Sequence, residues 1–177
     1  MTENELIIMA QNGDTDAFSE LYIKYKDRLF KYAYLRLGDI YDAEDAVQSC
    51  VVSAFQQIGQ LRQAEAFPKW IFCILHCYCL TQMSKKFRQK NVEDIDNYVD
   101  IEATNSNDFI EDQELKEVLN TLSEKERNIV LLSTVAGFKG KEIAKITGYS
   151  HANVRTILHR ALAKMKSQLI VGGVDNE

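Results

Sequence analysis

The chain has 177 residues, a formal net charge of −5, 46% apolar residues, one proline, eight glycines and four cysteines. That apolar share suffices for one domain or two small ones, and so little proline and glycine argues against a turn-dense β fold. No apolar run is long enough to cross a membrane, the opening MTENELIIMAQNG lacks the basic start of an export signal, and three cysteines crowd one segment instead of spacing out a disulfide framework, so a reduced, cytoplasmic protein without membrane insertion is expected.

In chain order the helix signals dominate. Glu5 to Gln11 reads as a short helix. Ala17 to Leu37 reads as a longer one, with Phe18, Leu21, Tyr22, Tyr25, Leu29 and Tyr32 inward and Gly38 closing it. Ala43, Ala46, Val47, Cys50, Val51, Ala54, Phe55 and Ile58 then recur at helical spacing, with Glu44, Asp45, Gln48, Ser49 and Gln56 opposite. Asp42 is the expected N-cap of this third helix. Pro68 suits the first position of a fourth, which runs to about Arg88.

Val92 to Glu117 carries ten acidic residues against one lysine, a net −9 that leaves +4 for the rest of the chain. Without a sustained period as far as about Asp112, the stretch reads as a linker whose charge serves solubility or mimics nucleic acid against a basic surface. Leu115 to Leu122 is the next helix, and Ser123 to Glu126, "SEKE", matches a capping box opening another that stops at Gly137. "KGKEIAKIT", a turn at Gly148, a cap at Ser150 and "HANVRTILHRALAKMKSQL" then compose a helix-turn-helix. Its second helix places Val154, Ile157, Leu158, Ala161, Leu162, Met165 and Leu169 on one stripe.

Lys139 to Gln168 holds seven Lys/Arg against Glu142 alone, so the mean charge hides a basic module. Removing the apolar stripe leaves His151, Asn153, Arg155, Thr156, His159, Arg160 and Lys164 facing out. Arg can fork onto guanine, Asn can pair with adenine, and Thr or His can bond a base or phosphate, while Lys139, Lys141 and Lys145 suit phosphates. The alternative is a basic helix that is only a solvated face. The fold class expected is all-α, with helical domains at residues 1–90 and 113–170, an acidic flexible linker at 91–112 and a tail at 171–177.

Residues 122–169, from "LSEKERNIVLL" to "LAKMKSQL", resemble region 4 of the bacterial sigma-70 family, which reads the −35 promoter element. "DAFSELYIKYKDRLFKYAYLRLGDIYDAEDAVQSCVVSAFQQI" and "FPKWIFCILHCYCLTQMSKKFR" resemble region 2 of its extracytoplasmic-function (ECF) subgroup. The resemblance implies a sigma factor that binds core RNA polymerase, directs promoter-specific initiation, and is held by an anti-sigma factor. It implies that Asp42, Glu44, Asp45, Gln48 and Ser49 meet the β′ clamp helices, that region 4 meets the β flap, and that Ser49 replaces the usual glutamate. It also implies −10 contacts from Lys69, Trp70, His76, Cys77, Lys85, Lys86 and Arg88. Where the family pattern has arginine, asparagine and aspartate, this chain has Cys73, Cys77 and Thr81.

Cys73, His76 and Cys77 share a helical face, leaving zinc one ligand short unless another segment such as Cys50 contributes. Packing is the plainer reading, beside a metal site or a redox-sensitive thiol. No metal, cofactor or catalysis is expected, since no nucleophile–base pair or phosphate-cradling glycine loop is visible. Two other functions fit the same residues: a sigma-like protein that binds polymerase or an anti-sigma factor without initiating, and a stand-alone helix-turn-helix repressor.

Overall fold

The computed structural model describes residues 1–92 and 108–172, with side chains at 1–90 and 113–170. Every regular element among the described residues is helical: α1 (Glu3–Gln11), α2 (Thr15–Leu37), α3 (Ile40–Gln57), two 3₁₀ turns (Ile58–Gln60 and Ala64–Ala66), α4 (Phe67–Val92), α5 (Asp108–Asn120), α6 (Glu124–Thr134), α7 (Gly140–Thr147) and α8 (His151–Gly172). The chain divides into two compact units, Met1–Lys90 and Asn91–Glu177.

In the first unit the helix starts are set by side-chain caps. Thr2 and Glu5 form a capping box for α1, and the Asp14 carboxylate accepts from the backbone N–H groups of Asp16 and Ala17 at the start of α2. Gly38 closes α2 at φ 75°, a left-handed conformation that costs glycine nothing. Asp39 follows directly in extended conformation and caps α3, accepting from Asp42 N–H at 2.9 Å. The expected cap, Asp42, therefore lies inside the first turn, because the chain re-enters a helix as soon as the glycine has turned it.

Leu6, Ile7, Leu21, Leu29, Tyr32, Phe67, Ile71, Phe72 and Leu75 are almost wholly inaccessible and form the core of this unit. Each such side chain stabilises the fold by about 1.5–3 kcal/mol relative to exposure. Aromatic edges lock α2 to α4, with Tyr25 on Phe67 at 5.5 Å and Tyr32 on Phe72 at 5.8 Å between centroids. The Gln11 amide reaches the Ile58 and Leu61 carbonyls at 3.2 and 2.7 Å, satisfying acceptors where α3 ends. Tyr22, Val51 and Phe55, expected inside, are only partly covered; Phe55 packs edge-on against Phe18 at 5.1 Å.

His76 corrects the sequence-based expectation of a DNA contact. It is only 6% exposed, and its Nδ1 shares a 2.9 Å hydrogen bond with the Tyr32 hydroxyl. Burial, and then the charge of the equally buried Arg36, push its pKa down to about 4, so the ring is neutral at pH 7.

The second unit packs Leu119, Leu122, Ile129 to Leu132, Phe138, Ile143, Val154 and Ala161 into its core. α5 begins at Asp108, seven residues before the expected Leu115, and so takes in part of the acidic stretch. Acidic composition, read as a linker, is also what the positive end of a helix dipole favours. α4 takes the first two residues of the expected linker, and 93–107 lie outside the described residues. The capping box at Ser123 and Glu126 is present, with both bonds formed at 2.9 and 3.2 Å. Leu162 and Leu169, expected inside, are 41% and 47% exposed. α8 runs 22 residues against the 11 of α6, so α6 alone cannot cover its whole length.

A buried neutral histidine makes stability depend on acid. Unfolded, the ring takes a proton near its ordinary 6.5; folded, it resists until about 4. Protons bind preferentially to the unfolded chain between those values, so the first unit should lose stability as pH falls through that window and level off below it. Urea titrations of the intact chain across that range, compared with His76→Gln, should show a slope that the variant lacks.

Candidate nucleic-acid and partner interfaces

α7 and α8 are joined by a turn that only glycine makes without strain. Gly148 sits at φ 77° and donates its N–H to the Ala144 carbonyl at 2.9 Å, while a Cβ there would meet nothing within 4 Å, so conformation and not crowding demands it. Ser150 then caps α8, its hydroxyl accepting from Asn153 N–H at 3.2 Å. With Val154 and Ala161 buried, helical geometry turns His151, Asn153, Arg155, Thr156, His159 and Arg160 outward, and all six are exposed.

Arg155, Thr156, His159 and Arg160 line an open hollow of about 630 Å³ along this face. The Thr156 hydroxyl donates to Ala152 O at 3.1 Å, leaving its lone pairs as the part free to meet a ligand. Lys139, Lys141 and Lys145 are exposed on or beside α7. Lys164 is placed differently from expectation. Its ammonium lies 2.7 Å from Glu126 Oε1, tying α8 to the capped start of α6, and this partner holds the Glu126 carboxyl below its usual range. It sits three turns from the tip of α8, where the base of α6 is the nearer counter-charge.

On α4, Trp70 and Lys69 are half-buried near its start, Cys77 is exposed, and Lys85, Lys86 and Arg88 are exposed near its end. The four cysteines are placed differently: Cys73 is half-buried and Cys77 exposed. Cys50 and Cys79 are buried, with thiols pushed up to about 12 by desolvation, so both are held as unreactive thiols. His76 points inward as Cys77 points out, and among the described residues no group of three or more His, Cys, Asp or Glu is arranged to hold a metal ion.

The acidic residues of α3 divide into two rows. Glu44 and Gln48, four apart, rim a groove of about 400 Å³ between α2 and α3, walled by Tyr22, Lys26, Asp27, Phe30 and Val47. Asp42 and Asp45, three apart, turn instead to α4: Asp42 pairs with Lys86 and Asp45 accepts from Gln82. Ser49 is half-buried on that second row. Helical spacing puts Glu44, Asp45, Gln48 and Ser49 together opposite the apolar stripe, and the resemblance adds Asp42; neither finds the α2 wall, although Tyr22, Lys26 and Phe30 recur every fourth residue.

Sigma-70 region 2 matches residues 21–89, and sigma-70 region 4 matches residues 112–165. The chain is 24% identical to the ECF RNA polymerase sigma factor SigW of Bacillus subtilis over 92% of its own length and 94% of that protein's. It is 26% identical to the ECF sigma factor BldN of Streptomyces coelicolor over 89% of its length but 62% of that longer protein. Among solved structures, the sigma factor RpoE of Bartonella quintana, crystallised with the anti-sigma factor NepR, superposes with a TM-score of 0.70 at 25% identity, covering 87% of this chain and 97% of that one.

Gly140 tests the placement of the recognition face. A Cβ there would lie 3.0 Å from Nε2 of His151, so the imidazole rests against the start of α7. Gly140→Ala should displace the ring, the far end of an exposed side chain that can give way, and change thermal stability little at this first position of α7. An altered His151 imidazole resonance is expected; an unmoved one would show that the ring does not rest there.

Proposed function

The chain belongs to the sigma-70 family, and on that premise we propose that it is an ECF-type sigma factor that binds core RNA polymerase in the cytoplasm and directs it to promoters, catalysing nothing itself. One observation carries the reading. A region 4 unit whose glycine-turned helix exposes Arg155, Thr156, His159 and Arg160 follows, in the same chain, a region 2 unit with a cationic helix end.

In this reading α8 enters the major groove of the −35 element, with Arg155 and Arg160 reading guanines and His151, Asn153, Thr156 and His159 completing the edge contacts. Lys139 and Lys141 hold phosphates, giving an affinity that falls with salt. Lys69, Trp70, Cys77, Lys85, Lys86 and Arg88 serve the −10 element, whose opened strand needs positive charge and a place for an unstacked base. With Cys77 in place of an asparagine, the −10 preference departs from the family's usual one. Glu44 and Gln48 at the α2–α3 groove meet the clamp helices of β′, region 4 meets the β flap, and an anti-sigma factor holds the free protein.

Transcription reconstituted with core polymerase on genomic DNA tests the whole. Specific run-off transcripts are expected. Arg155→Ala with Arg160→Ala should abolish those that depend on a −35 element, at about 1–3 kcal/mol per lost base contact, and leave core binding intact. Glu44→Lys should weaken core binding and spare duplex binding by region 4. Core binding without transcripts would make the chain a sigma-like interaction protein, and duplex binding without core would make it a repressor.

A further inference from the structure

The seam between α3 and α4 carries a ladder of polar contacts along its exposed edge. Asp42 pairs with Lys86, Asp45 accepts from the Gln82 amide, and the Ser53 and Tyr78 hydroxyls meet at 2.6 Å. The helices run antiparallel there, since rising numbers on α3 meet falling numbers on α4. One rung, Asp42 with Lys86, joins residues that the family resemblance gives to different partners.

We propose that Asp42 withholds Lys86 from nucleic acid in the free chain, and that a cationic helical partner engaging the acidic row of α3 releases it. The inference rests on the sigma-factor reading for what those partners are. Lys85 to Lys90 contains four cations and no acid, and Asp42 neutralises one of the four. Phe87, 68% exposed between Lys86 and Arg88, offers an aromatic face to the strand those cations attract.

The contact is suited to exchange. Asp42 Oδ2 is buried and makes no hydrogen bond, so the ion pair with Lys86 is what compensates that oxygen. The side chains are nonetheless 24% exposed at Asp42 and 46% at Lys86, so the pair lies at the surface, within a partner's reach, although Oδ2 itself is covered. Asp45 is exposed beside it. A lysine or arginine brought to this row by a docked partner replaces Lys86 at the carboxylate without leaving the charge bare. The freed ammonium then adds to the cations at the end of α4. Because linkage is reciprocal, a bound strand raises the affinity of the acidic row for its cationic partner by the same factor.

The test uses the full chain without polymerase, titrated into a fluorescent single-stranded DNA pool of mixed sequence and read by anisotropy at several salt concentrations. Asp42→Asn should tighten binding by about two- to fivefold, the range of a partly exposed ion pair, and steepen the logarithmic salt dependence by about 0.7 for one more engaged cation. Glu20→Gln, which removes the same charge from an exposed site on α2 remote in sequence from the seam, should tighten it less. Lys86→Gln should matter little in the wild-type background and cancel the gain in the Asp42→Asn background, a coupling that a double-mutant cycle measures. Melting curves confirm that each variant is folded. The inference is overturned if Asp42→Asn binds no tighter than Glu20→Gln, or if Lys86→Gln weakens both backgrounds equally. Failure of the wild-type chain to bind core polymerase, measured separately, would instead remove the sigma-factor reading.

Discussion

The packing of one stripe of α4 against α2 governs how the first unit can meet its partners. Phe67, Ile71, Phe72, Leu75, His76 and Cys79 take the buried side of that helix, and Tyr25 and Tyr32 meet them from α2 through aromatic edges. Once those positions are committed, the 3.6-residue period leaves no freedom for the rest. Cys77 must face out, and the run from Lys85 to Arg88, past the covered stretch, must extend into solvent. The same stripe sets a neutral histidine and a buried arginine side by side, a polar inclusion sustained by the Tyr32 hydroxyl. The helix proposed to meet DNA on one side is thus built around closely packed, buried groups on the other.

The second unit obtains its binding face by a different route, through backbone termini. A capping box, a left-handed glycine and a serine cap fix where α6, α7 and α8 begin and end. Those end points decide which residues of α8 stand at its N-terminal tip. Glu126 acts twice, accepting from its own cap residue and pairing with Lys164. The cation that sequence spacing offered to DNA is thereby used to hold α8 on α6.

Much of this was legible in the sequence because caps and periodicity are local. The helix order, the capping box at Ser123, the glycine turn at Gly148 and the six exposed residues of α8 follow from spacing alone. Asp42 was mistaken for a cap because Asp39 is an equally good one, and only the conformation of Gly38 decides between them. Leu162 and Leu169 have the right spacing for a core, yet burial also needs a neighbour long enough to cover them. The family resemblance gave His76 a −10 contact, whereas a tyrosine 44 residues earlier satisfies it inside. Long-range partners of this kind leave no trace in a local window.

The division of the α3 acids into two rows shows how sequence and structure assign function at different scales. A pattern of acids opposite an apolar stripe says that a surface is negative; it does not say toward what. Glu44 and Gln48 open onto a groove and can be read only by another molecule, whereas Asp42 and Asp45 already have partners within their own unit. A charge satisfied internally contributes to recognition only through exchange, so its worth depends on what replaces it. Counting acids on this helix therefore overstates the field that an incoming cationic helix first feels and understates the change its arrival makes at α4. In a protein of net charge −5, that asymmetry leaves three of the four cations from Lys85 to Lys90 without this pairing and ties the fourth to the state of α3.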